Sequence, residues 1–209
     1  LKTDGCLPIS PMPAGLRRPG SIIGIAVNIR TKEQLIAYLN GGHKLKYVLF
    51  WGHQEHGSQV TKSCFSQWYE SRFEEWGKVF LTAEHYMMYH KARLFGDDAA
   101  AQKVLSAQNP GAAKAIGREV VGFDQALWAE KRFEIVVNAN LAKFSQSSTL
   151  RAFLLSTGDR VLVEASPVDS IWGIGLAQDD AGAEDPARWK GLNLLGFALM
   201  DVRDQLAER

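Results

Sequence analysis

The stretch "TAEHYMMYHKARLF", residues 82–95, decides how the chain is read. Taken as a helix at roughly 100° per residue, it sets Glu84, Met88, Lys91 and Phe95 at i, i+4, i+7 and i+11. That is one narrow stripe in which an acid and a base share a face with apolar side chains. Spacing alone leaves two explanations open. In one, the stripe is semi-exposed and the lysine stem covers Met88 while its ammonium reaches water. In the other, both ions point into a pocket, because a charge at a core position is costly unless it is paired or used. A half-buried Glu then has its pKa raised by desolvation and pulled back by a neighbouring Lys, which is how an acid/base is tuned.

Working outward, Thr82 is the expected N-cap of this helix, and Gly96-Asp97-Asp98 ends it and opens the next, "DDAAAQKVLSAQ". Pro110 suits the first turn of "GAAKAIGRE", and "FDQALWAEKRFEIVVNANLAKF" reads as a long helix. "STLRAFLLST" is expected to continue the helical run to Gly158, followed by a strand in "RVLVEAS", where Val161 and Val163 alternate with Leu162 and Glu164. A final helix, "GLNLLGFALMDVRDQLAER", follows the long loop "PVDSIWGIGLAQDDAGAEDPARWK". Upstream, Thr31 caps a helix in "TKEQLIAYLN" that stops at Gly41-Gly42, and "KYVLFW" reads as a short buried strand. "GHQEHGSQVTKS" is a polar loop, and "CFSQWYESRFEEWGKVFL" suggests short extended pieces around Gly77. Many helices and few strands make the class α+β, mainly helical.

Residues 1–20 carry four prolines, Pro8, Pro11, Pro13 and Pro19, and are expected to form a Pro-rich lead-in, with residues 21–209 as one domain. The 209 residues are 46% hydrophobic and 22% charged, which suits an ordinary globular protein with one sizeable core. A formal net charge of +1 excludes a global basic field for nucleic acid, though a local patch stays possible. Cys6 and Cys64 lie far apart without C-x-x-C spacing, so neither a disulfide framework nor a thiolate zinc site is indicated, and a cytoplasmic setting is expected. No apolar run approaches the ~20 residues that span a bilayer, and the first residues lack a signal-peptide core. The chain begins at Leu1, so a natural start upstream of it is expected.

Other candidates for chemistry are carboxylates, aromatics and cations. Glu164 reads first as a structural acid accepting hydrogen bonds. Asp169, in "SPVDSIWGIG", has the ordinary role of capping a turn. Trp172, Gly173 and Gly175 sharpen it, since glycines let backbone N–H groups approach a phosphate and an indole offers a stacking wall. Trp128 and Arg132 are i, i+4 neighbours: either a cation–π pair worth about 1 kcal/mol at most when exposed, or a ring for a base beside a guanidinium for phosphate. Lys143-Phe144 near the end of the long helix is either a helix-dipole partner or a second phosphate site. His53 and His56, and His85 and His90, lack H-E-x-x-H spacing and a third ligand, so no metal site is expected. G-x-x-x-x-G-K-[ST] and G-x-S-x-G are absent as well.

"FSQWY", "TAEHYMMYHKARLF", "AKFSQ", "LVEASPVDSIWGIGL" and "KGLNLLGFALMDVR", in this order, resemble the NADAR family, which includes the YbiA-like N-glycosidases. The likeness runs from "IRTKEQLIAYL" to "DVRDQL". It implies a single compact YbiA-like domain with a few short strands, and hydrolysis of a ribose–nitrogen bond. It also implies that Glu84, Trp128 and Asp169 line the active site. One departure is Gln67, where many members carry Asn before the aromatic, followed by Pro; here Trp68, Tyr69 and Glu70 follow. The chemistry agrees, since loss of an amine from C1 of ribose builds oxocarbenium character and needs a nearby negative charge, a proton route and a water. The expected roles are Glu84 as general acid/base, Asp169 as cation stabiliser or ribose holder, and Trp128 as stacking ring, with Arg132 and Lys143 as phosphate ligands. Lys91 has a second possible role as a Schiff-base nucleophile.

Three functions follow from the resemblance. The first is removal of ADP-ribose from guanine in nucleic acid, favoured by a chain longer than a minimal YbiA-like core and by a loop at 176–190 that can frame a larger ligand. The second is hydrolysis of ribosylamino-pyrimidine phosphates, early riboflavin intermediates. The third is a non-catalytic ADP-ribose or NAD-type binding module. None calls for a cofactor, a membrane or a known protein partner.

Overall fold

The computed structural model describes residues 29–54 and 59–208; the Pro-rich lead-in, Cys6 and His56 lie outside them. Local signals start the helices. Thr31 caps α1 (Lys32–Asn40) in a full capping box with Gln34. Thr82, Asp97, Asn109 and Asp124 cap α2 (Ala83–Leu94), α3 (Asp98–Leu105), α4 (Pro110–Arg118) and α5 (Gln125–Ser145), each side chain accepting a first-turn N–H. α5 does not run on as expected. It stops at Gln146, and Ser147, in extended backbone, accepts the Leu150 N–H and opens a separate α6 (Ser148–Leu155). Gln146 turns aside because its amide pairs with both backbone groups of Glu74, at 2.9 and 2.8 Å.

The strands are short and form two pairs. β1 (Tyr47–Phe50) lies parallel to β4 (Val161–Glu164), with Phe50 opposite Glu164. β2 (Phe73–Glu75) and β3 (Lys78–Phe80) make a hairpin whose two-residue turn, Trp76-Gly77, has φ of 48° and 70°, the mirror-image turn that matches strand twist. Val161, Leu162 and Val163 are all buried, so the alternation read from sequence describes the strand but not its exposure. A parallel pair is covered on both faces, and α7 (Leu194–Ala207) packs along β4.

α2 is the axis of the helical layer and packs against α3, α4 and α5. Its residues 83–89 are all buried. α4 comes close because Gly117 has no side chain: a Cβ there would collide with Met88 Sδ. His85 is fixed within the core, its Nδ1 2.8 Å from the Thr82 hydroxyl and its Nε2 3.1 Å from the Ala107 carbonyl. A carbonyl only accepts, so Nε2 carries the proton. The loop 165–193 is tied by backbone bonds, among them Ile174 N–H to Glu164 O and Lys190 N–H to Ile174 O, both 2.9 Å. Asn193 closes it with φ 55° and ψ 35°, its side chain bonding Leu162 O at 2.9 Å and Glu164 N–H at 3.0 Å, as a neighbouring strand would. No described helix is long and apolar enough to cross a membrane.

Candidate active site

A cavity of about 650 Å³ opens between α2, α4, the start of α5, the turn after residue 65 and the 164–172 segment. Its walls carry Glu84, Met88 and Lys91 from α2, Lys114 and Arg118 from α4, and Trp128 from α5. Glu164, Asp169 and Trp172 form the opposite side. Three members of the 82–95 stripe therefore line one pocket, and Phe95 packs beyond it against Phe123, ring centroids 5.2 Å apart.

Glu84 is 3% exposed, and its Oε1 is buried without a hydrogen-bond partner. Burial pushes its pKa up to about 7, repulsion from Asp169 adds to this, and Lys114, Arg118 and a hydrogen bond from the Trp68 indole oppose it. An acid poised there exchanges protons near neutral pH. Its own N–H donates to the Gln67 carbonyl at 3.0 Å, so the backbone and the carboxyl of Glu84 are held by the consecutive residues Gln67 and Trp68. Glu164, read from sequence first as a structural acid, stands in the cavity wall with a buried, unpartnered Oε2. Burial, then repulsion from Asp169 and Glu84, lifts its pKa to about 8 against the pull of Lys114. Asp169 does cap a turn: its Oδ1 accepts from the N–H groups of Ile171 and Trp172, both at 2.8 Å. The residue nonetheless lies in the cavity wall.

Lys91 lies in the wall with its pKa lowered by burial. Its Nζ donates to Gly117 O at 2.7 Å and stands 4.3 Å from the Phe123 ring centre and 5.6 Å from that of Trp128. The cations facing the carboxylates from α4, Lys114 and Arg118, stood outside the sequence reading. They are i, i+4 on the polar side of a short amphipathic helix, where a solvated face is the ordinary reading, and only the fold turns them toward Glu84. Ser166 was equally hidden, while Gln67 and Trp68 were marked only as part of the "FSQWY" motif and His53 only as a rejected metal ligand.

Five expected residues lie elsewhere. Lys143 does not reach a phosphate: it is 1% exposed, with Nζ on Cys64 O at 2.6 Å and Ser66 O at 3.0 Å. Phe144 is fully buried beside Phe65, because its helix turns this face into the core. Gly173 and Gly175 serve the loop instead of a ligand: a Cβ on Gly173 would meet Glu164 O at 2.8 Å, and Gly175, at φ 67°, spends its N–H on Asp169 O. Arg132 is absent from the cavity wall. It stands close enough to Asp169 for attraction to offset part of the burial that lowers its pKa, and its Nε is buried without a partner. Among the described residues no group of three His, Cys, Asp or Glu side chains is arranged to hold a metal.

Comparison with known proteins matches this arrangement to one family. The NADAR domain model covers residues 49–207. An N-glycosidase of Acanthamoeba polyphaga mimivirus is 41% identical over 165 residues, which is 77% of this chain and 96% of that protein. The N-glycosidase YbiA of Escherichia coli K12 is 32% identical over 142 residues, 66% of this chain and 80% of its own. The NMR structure of Escherichia coli YbiA superposes with a TM-score of 0.61 at 26% identity, covering 79% of this chain and 88% of that one. Matched along most of its length and carrying its buried acid on the shared fold, the chain belongs to the NADAR domain family.

Proposed function

We propose that this NADAR chain, a hydrolase of N-glycosyl bonds like the relatives named N-glycosidases, cleaves a ribose–nitrogen bond, and that its substrate is guanine carrying ADP-ribose in nucleic acid. The observation that carries the reading is Glu84, a buried acid with a pKa of about 7 in a cavity that also holds three lysine or arginine side chains, Lys91, Lys114 and Arg118. Departure of an amine from C1 requires a proton at the leaving nitrogen and negative charge near the developing oxocarbenium ion. Glu84 supplies the proton and then, as carboxylate, activates water. Asp169, with one oxygen held by its turn, faces the cation with the rest of its carboxylate. Trp128 offers a wall for the base, and Lys114 and Arg118 suit phosphate oxygens. Lys91 is the candidate for a covalent route: as the neutral amine that its burial favours, it adds to C1 of the ring-opened N-riboside, the base amine leaves with a proton as the lysine Schiff base forms, and water then hydrolyses that Schiff base.

Purified protein is incubated with guanine-ADP-ribosylated oligonucleotide and, in parallel, with ribosylamino-pyrimidine phosphate, and the products are read by mass spectrometry with Glu84→Gln as control. Release of ADP-ribose that the variant abolishes supports the proposal. Release of ribose phosphate alone replaces it with disposal of riboflavin intermediates. Micromolar ADP-ribose binding by calorimetry with no turnover of either substrate makes the chain a binding module. Borohydride added during turnover traps an adduct on Lys91 if the covalent route operates, and an unmodified Lys91 removes that route.

A further inference from the structure

Lys143 is the motif lysine for which the cavity has no use. It is buried at 1% exposure, and among the described residues no ion pair includes it. An ammonium placed this way is costly, and burial lowers its pKa to about 8. Two carbonyls and two rings take the place of water: Cys64 O and Ser66 O accept from Nζ, and the Tyr69 and Phe144 ring centres each lie 5.2 Å away. Both carbonyls belong to one feature, the 3-10 turn Lys62–Phe65 and the Ser66 that ends it. The next two residues are Gln67, whose carbonyl takes the Glu84 N–H, and Trp68, whose indole bonds the Glu84 carboxyl. One turn back on the same face of α5, Asn140 Nδ2 donates to Gln67 Oε1 at 2.8 Å and to Val136 O at 2.9 Å. α5 thus grips residues 64–67 at three oxygens and, through them, holds the backbone and the carboxyl of the acid.

We propose that Lys143 is a positioning residue: from beneath the site it locks the 64–68 turn so that Gln67 and Trp68 hold Glu84 in its working geometry. The proposal rests on the reading of Glu84 as the acid. An apolar side chain would fill the same volume without the cost of desolvating a charge, but it would release both carbonyls and let the turn move. Trp68 would then bond Glu84 less well, and the acid would keep its proton to higher pH. The other charged groups that act on Glu84 come from different elements, Lys114 and Arg118 on α4, Asp169 in the loop and Glu164 on β4, and Lys91 lines the same cavity. None of them is altered by a change at position 143.

The test needs no substrate. The side-chain carboxyl of Glu84 is followed by carbon-13 NMR titration in the wild type and in Lys143→Met, Lys143→Arg and Phe144→Leu. The expected result is a midpoint raised by about half a unit or more in Lys143→Met, moved back toward wild type in Lys143→Arg, and unmoved in Phe144→Leu, which disturbs the core at the next position. Where a substrate is turned over, the matching limb of the pH–rate profile moves with it, with kcat falling more than KM rises. If Lys143→Met does not fold, Asn140→Leu, which cuts the neighbouring grip on Gln67, carries the test. A folded Lys143→Met or Asn140→Leu with an unmoved midpoint overturns the proposal. An absence of turnover in the wild type, with the midpoint shift present, overturns the substrate reading and leaves the positioning role standing.

Discussion

The two walls of the cavity are built by different means. One is helical: α2 and α4 meet through Gly117, and Glu84, Met88 and Lys91 follow from a single period. The other is an irregular segment, in which Glu164 ends a strand, Asp169 caps its own turn and Asn193 bonds β4 as a strand would. Each wall presents one acid with an unpartnered oxygen, Glu84 on the helix and Glu164 at the strand end, but in the loop itself Asp169 spends much of its polar capacity on the shape of its own turn. An acid with spare capacity is suited to moving a proton, and one already holding two N–H groups is suited to a fixed charge.

The largest expected effect follows from that difference. Glu84→Gln keeps volume but cannot transfer a proton, and kcat is expected to fall about 10²- to 10⁴-fold, the usual worth of a general acid/base. Asp169→Asn keeps an oxygen for the turn and loses only charge, so its fall is expected to be nearer tenfold, or about 1.4 kcal/mol. Equal losses in steady-state kinetics would erase the distinction between the walls.

A smaller effect concerns stability against pH. Glu84 in the fold titrates near 7 and Glu164 near 8, both above their ordinary value of 4.5. Between the unfolded and folded values the native state holds more protons, so stability is greatest below about pH 4.5 with respect to these two groups, and it declines as pH rises to 8. Glu84→Gln removes one of the two titrations. It is expected to be more stable than wild type at pH 8, by at most about 3 kcal/mol, and to lose that advantage near pH 4. Urea unfolding at both pH values reads this, and an equal difference at both would show that burial does not set the acid's proton affinity. The smallest effect belongs to the loop wall: Asn193→Ala deletes both bonds to β4 and places a Cβ residue without an amide in the left-handed region. A loss of about 1–2 kcal/mol is expected in the same denaturation experiment.

The helices were legible because their signals are local. Thr31 and Thr82 cap their helices as expected, Asp97 caps α3 within the expected Gly96-Asp97-Asp98 break, and Pro110 sits in the first turn of α4 as read, behind a cap, Asn109, that the sequence reading did not single out. The break between α5 and α6 was not legible, because it depends on Gln146 reaching Glu74, 72 residues away. Trp128 and Trp172 line the site where the motifs put them, while Lys143 and Phe144, equally prominent in sequence, turn inward. A motif marks a position under constraint without saying which side of the helix the constraint is on.

By itself, then, the sequence determined what depends on near neighbours: the class, the helix starts, and the odd company of Glu84 and Lys91 on one stripe. Its ordered motifs carried the family, which the matches to known N-glycosidases establish. Only the tertiary structure decided which charges face one another. Burial and Coulomb forces act between residues brought together from α2, α4, β4 and the loop, such as Glu84, Lys114, Glu164 and Asp169. Their proton affinities are properties of that assembly, because each is set by the water that the fold excludes and by charges that the chain order keeps far apart.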